Sequence, residues 1–144
     1  MKLSHLPLRL AAGAFILNSG LTKRNLPPEA AGQLQGMAAN AVPQVTKMKP
    51  EEFGKALSAG EIALGAALLT PFVPSSLAGA ALTAFGGGLV RMYLNTPGMT
   101  QEGSAVRPSQ DGTAIAKDVW LLGGGLTLLV DALMSGRSGS GDAR

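Results

Sequence analysis

The sequence predicts an all-α polytopic membrane protein: four transmembrane helices in a bundle, with an interfacial helix between the first two. Three observations predict it. The 29 residues from Ile62 to Val90 carry no charge, and Pro71 and Pro74 divide them into two apolar arms. A membrane span needs about 20 apolar residues, given a ~1.5 Å helical rise and a ~30 Å hydrocarbon core. The chain is 46% hydrophobic and only 15% charged, against roughly 25% charged in an average soluble domain. It also holds 20 glycines and just 4% aromatic residues. Small residues let helices approach closely in lipid, where the tails supply no hydrophobic drive between them.

The first span is expected at about 7–23. Lys2 and Arg9 ahead of an apolar run resemble the start of a signal peptide. No A-x-A-like cleavage site follows, and Pro7 suits a first helical turn. Arg9, Gly13, Ile16, Gly20 and Lys23 recur at spacings of 4, 3, 4 and 3, which puts a basic and small stripe on one face for packing against neighbouring helices. Glu29–Thr46 is too polar to cross a bilayer. Its Leu34, Met37, Ala41 and Val45 repeat at helical spacing opposite Gln33, Gln35, Asn40 and Gln44, the pattern of a helix docked over the bundle mouth.

Pro50, Glu51 and Glu52 mark a helix start, because acids favour the positive end of the helix dipole. The second span follows at 53–70. After the proline-bounded turn, Ser75 or Ser76 caps the third, at 76–95. Asn95-Thr-Pro-Gly98 stops it. A polar loop leads to Thr113 and the fourth span, 113–134. Residues 1–134 thus form one membrane domain, and 135–144 a polar, Gly/Ser-rich disordered tail.

Several chemistries are excluded. With no cysteine, the chain builds no disulfide and no thiolate-held cluster; with one histidine, His5, it builds no bis-histidine haem. No metal set is evident. A net charge of +3, scattered and without aromatic platforms, gives no reason to expect nucleic acid as a partner. Gly86-Gly87-Gly88 and Gly123-Gly124-Gly125 lack the lysine and the preceding strand of a phosphate loop, and read as close helix contacts. Tyr93 and Trp120 suit an aromatic belt, or else stacking on a flat ligand. His5 reads as a terminal polar residue.

Depth counting groups the remaining charges. Four spans place both ends of the chain on one side of the membrane (side A). Arg9 and Asp131 share a level near that side and are expected to pair. Glu61 lies eight residues from the opposite, side-B end of its span, about 12 Å deep. Asn18, Arg91, Lys117 and Asp118 fall in the same half, with Arg91 or Lys117 the expected partner of Glu61. An isolated charge at mid-bilayer costs ~2.5–3.5 kcal/mol even on the lenient insertion scale, so such groups face the interior and find partners. The cluster of Asn18, Glu61, Arg91, Lys117 and Asp118 is therefore expected either to fix helix register or to bind a ligand. The excess of lysine and arginine on side B points that side toward the cytoplasm.

Arg9, Gly13, Phe15, Gly20 and Lys23, then Gly60-Glu61 with Gly65, then Lys117-Asp118 leading into LLGGGL, resemble the DoxX family of small four-helix membrane proteins over most of residues 6–133. The loop GQLQGMAANAVPQV is similar to an actinobacterial-type branch. The resemblance implies a multi-pass cell-membrane protein serving a redox or oxidative-stress assembly, with redox or stress-response proteins as partners and a quinone as candidate ligand. Thiol-dependent quinone chemistry of related bundles does not carry over to a chain without cysteine. No catalytic residue is assigned. A small carrier or lipid- or solute-binding protein, and a structural membrane module, are the alternatives.

Overall fold

The computed structural model describes residues 2–138, with side chains through Ser135. Among them the chain is all-helical, with no strand. A short 3-10 turn at Leu3–His5 leads into α1 (Leu6–Thr22). Next come α2 (Pro28–Ala39), a second 3-10 turn at Pro43–Lys47, and α3 (Pro50–Leu69). After the turn at 70–74 come α4 (Ser75–Asn95), the single turn α5 (Thr113–Ala116) and α6 (Val119–Ser138).

Two close pairs make the bundle: α1 packs along α3, and α4 along α6. Glycine permits both. A Cβ on Gly65 would lie 2.5 Å from the backbone nitrogen of Leu17, and one on Gly86 would lie 2.5 Å from that of Leu122. Real Cβ atoms do not come so near, so these backbones touch only because the side chains are absent. Between the pairs runs a thin core of Ala12, Ile16, Leu64, Leu68, Ala78, Leu82 and Leu128. Many large apolar side chains are exposed instead: Phe15 is 62% exposed, Phe72 92% and Trp120 81%.

Two helical stretches, 75–95 and 113–135, are long and apolar enough to cross a membrane. The other two expected spans fall short for visible reasons. Helix α1 has only 17 residues. Helix α3 has 20, but Glu51, Glu52, Lys55 and Glu61 are among them.

Three elements differ from expectation. The fourth span is not one helix, because its path breaks at Lys117 and Asp118 between α5 and α6. The interfacial helix ends at Ala39, and Gln35, expected on its polar face, is buried; its side-chain amide donates to the carbonyls of Val45 and Met48, holding the following segment against α2. Helix α6 continues through Ser138, where a disordered tail was expected; residues 139–144 lie outside the described part.

Candidate functional site: a buried ion pair where three cavities meet

Glu61 stands in the middle of α3, 5% exposed, on the face turned toward α1. Its partner is Lys23, which caps the C-terminal end of α1. The ammonium lies 2.8 Å from Oε2 and 3.0 Å from Oε1. Its remaining donor goes to the Ser19 hydroxyl, one helical turn back. All three N–H bonds of the ammonium are thus used within the chain. Nearby, the Ser58 hydroxyl donates to the Gly20 carbonyl at 2.7 Å, closing the α1–α3 seam.

Three cavities open onto Glu61, and two of them onto Lys23 as well. One, about 380 Å³, lies beneath α2 and is lined by Leu34, Val45, Phe53, Leu57, Phe85 and Met92 among others. The second, about 310 Å³, is polar at its far side, where Ser19, Lys117 and Asp118 line it. The third is a groove of about 450 Å³ between α3 and α4, edged by Ala56, Gly60, Ala81 and Ala84. Glu61 and Phe85 belong to the walls of all three. An apolar chamber with a few convergent polar groups is the usual form of a small-molecule site.

Of the cluster expected from depth, the structure brings Glu61, Lys117 and Asp118 around one cavity. Lys117 is exposed and Asp118 half-buried; neither side chain has a hydrogen-bond partner among the described residues. Arg91 and Asn18 are both exposed and stand apart. The reason is azimuth. Helices turn ~100° per residue, so Asn18 lies roughly 200° around α1 from Ile16, and Arg91 roughly 120° off the Phe85–Leu89–Met92 face of α4. Lys23 and Ser19 were missed as partners. The stripe from Arg9 to Lys23 held the signal for Lys23, since it put both on the packed face.

The expected Arg9–Asp131 pair does not form. Arg9, 1% exposed, instead spends all five N–H groups elsewhere. Nε donates to the Leu68 carbonyl at 2.8 Å, and Nη2 to Ala67 and Thr70 at 2.9 and 2.8 Å. Nη1 donates to the Val73 carbonyl at 3.0 Å and the Ser75 hydroxyl at 3.2 Å. The last carbonyls of α3 have no helical partner and carry the negative end of its dipole, so a guanidinium satisfies them without any carboxylate. Asp131 is taken by Lys2 at 2.8 Å and by His5 Nε2 at 2.7 Å.

His5 is therefore no loose terminal residue. It is buried, and its Nδ1 lies 2.9 Å from the Ser75 hydroxyl. With Nε2–H given to the carboxylate, Nδ1 accepts from Ser75, which in turn accepts from Arg9. This row fastens the first turn of the chain to α4 and α6. Tyr93, also buried, donates its hydroxyl to the Val106 carbonyl at 3.0 Å and braces the 96–112 loop. Among the described residues no group of acidic, histidine or cysteine side chains could hold a metal ion.

No family model, no curated protein and no solved structure matches this chain.

Proposed function

We propose that this chain is a four-span, DoxX-like membrane protein that binds a lipophilic small molecule of the quinone class at Lys23 and Glu61. In this reading α1, α3, α4 and the broken α5–α6 each cross the bilayer. The observation that carries it is an ion pair with its carboxylate buried, on the walls of two cavities with Glu61 reaching a third, in a bundle that exposes many large apolar side chains. On binding, Lys23 turns one N–H from Ser19 to a ring carbonyl of the quinone, Glu61 accepts from a ring hydroxyl of the reduced quinol, and the chamber under α2 takes the ring. The family likeness makes a redox or stress-response assembly the partner.

The satisfied ammonium favours a second reading, a structural module in which the pair only fixes α1 against α3. One experiment separates the two. The protein is reconstituted in lipid nanodiscs and titrated with a decyl-chain benzoquinone, alongside Glu61→Gln and Lys23→Met. Binding that both substitutions abolish supports the site. Wild-type protein that binds nothing, with variants that merely melt earlier, supports the module. Recovery of membrane redox proteins with wild-type but not with Glu61→Gln protein tests the partner claim separately.

A further inference from the structure

The three cavities differ in a way that specifies the ligand and its route, given the reading that Lys23 and Glu61 hold a small molecule. The pair itself is neutral overall, offering one strong donor and one strong acceptor. A head group with a fixed charge would leave one member of the pair opposed by a like charge. A neutral head that offers ring carbonyls as a quinone and ring hydroxyls as its quinol meets Lys23 with an acceptor in one state and Glu61 with a donor in the other.

The chamber beneath α2, about 380 Å³, has room for a ring but not for a long chain as well. A chain attached to that ring must leave. The cavity toward Lys117 and Asp118 is a poor exit, because an aliphatic chain there would strip water from charged groups without replacing it. The groove between α3 and α4 is suited to it. The chamber and the groove share Leu57, Glu61, Ala84 and Phe85 in their walls, so the two adjoin beside Glu61 with only these side chains between them.

The groove has a structural cause. Helix α3 is committed to α1 and α4 to α6, and the two partnerships leave α3 and α4 with little contact beyond the turn that joins them. Ala56, Gly60, Ala81 and Ala84 are all exposed along its edges. A Cβ added to Gly60 would meet nothing within 4 Å. In a four-span arrangement this opening faces hydrocarbon.

We infer that the ligand is a neutral, single-chain lipophile with an oxygen-bearing ring, that it enters sideways from the bilayer between α3 and α4, and that its chain stays in the groove. With the chain lodged there, bulk added to the groove wall displaces it and weakens binding.

A benzoquinone with a diazirine at the end of a decyl chain tests this in nanodiscs holding the full protein. Light-induced adducts are expected along Ala56, Gly60, Ala81 and Ala84. Gly60→Leu and Ala81→Leu, which fill the groove and leave the chamber walls unchanged, are expected to bind about tenfold more weakly, the scale of a misfit in a packed site. Gly123→Leu, which adds the same bulk at an equally open position on α6, is expected to bind as wild type. Adducts on the 34–45 segment, or on Phe15 and Leu121, overturn the route. So does undiminished binding by both groove variants. If a groove variant fails to fold, the adduct map of the unmodified chain still decides. A wild-type protein that takes up no probe, or labels equally after Lys23→Met, removes the underlying site as well as the route.

Discussion

Arg9 carries more of this structure than any other single residue. Five donors in a planar fork reach five acceptors drawn from the end of α3, the 70–74 turn and the start of α4. A lysine keeps the charge but has three donors on a single atom, so it leaves buried carbonyls unmet. Each such loss costs about 1–3 kcal/mol. Arg9→Lys is therefore expected to lower stability by about 2 kcal/mol or more, read as a drop in melting temperature in detergent. Lys23 and Glu61 follow a different rule. Breaking a buried pair by removing one member costs about 3–5 kcal/mol, whereas removing both together can be nearly neutral. Lys23→Met with Glu61→Gln in one chain is expected to melt closer to wild type than either alone. The burial of Arg9 was legible in its stripe of small neighbours. Its partners were not, because letters show side-chain charges and conceal the carbonyls at a helix end.

Elements were legible to within a few residues wherever proline, an acidic first turn or a glycine stop marked the ends. The path of the fourth span was not. Lys117-Asp118 reads as a charged pair inside an apolar run, and nothing in that spelling shows the helix re-starting there. Depth was readable from ~1.5 Å of rise per residue, and it brought Glu61, Lys117 and Asp118 to one level. Azimuth was not combined with it, which is why Asn18 and Arg91 were grouped with residues they turn away from. The glycines divide in the same manner. Of the 86–88 run, Gly86 meets a neighbouring backbone while Gly88 meets nothing within 4 Å. Gly86→Val is accordingly expected to push α4 from α6 at a cost of about 1–3 kcal/mol, and Gly88→Ala to be nearly silent; thermal unfolding of the two variants checks the contrast.

At the scale of the whole molecule, the four-span arrangement makes a sharp topological prediction. With four crossings, the 24–49 segment shares a side with the 96–112 loop, opposite Ser135. With two crossings, through α4 and α6 alone, that segment sits on the same side as Ser135. The chain contains no cysteine, so single cysteines placed at Asn25, Gly103 and Ser135 can be scored with a membrane-impermeant thiol reagent. Labelling of Asn25 with Gly103, and not with Ser135, is the expected result. The all-helical class was readable from the apolar runs and their proline breaks, and the small-residue face of α1 from its spacing. The split into two partnerships was not, since which helix pairs with which depends on shape that composition does not encode.

That split has a consequence for how the molecule is made. Helices α1 to α3 are synthesised before any of α4 to α6, and domains or subunits of structure tend to form in that order on the ribosome. Lys23 and Glu61 both lie in the first half, so their charges can pair without any residue of the second. Arg9 engages Ala67, Leu68 and Thr70 at the same stage, but Val73 and Ser75 only as the next half emerges. Lys2 and His5 wait longest, since Asp131 arrives 129 and 126 residues later. The fastening of the first turn to α6 is thus the last step of assembly, and a chain that has made it is complete through both halves.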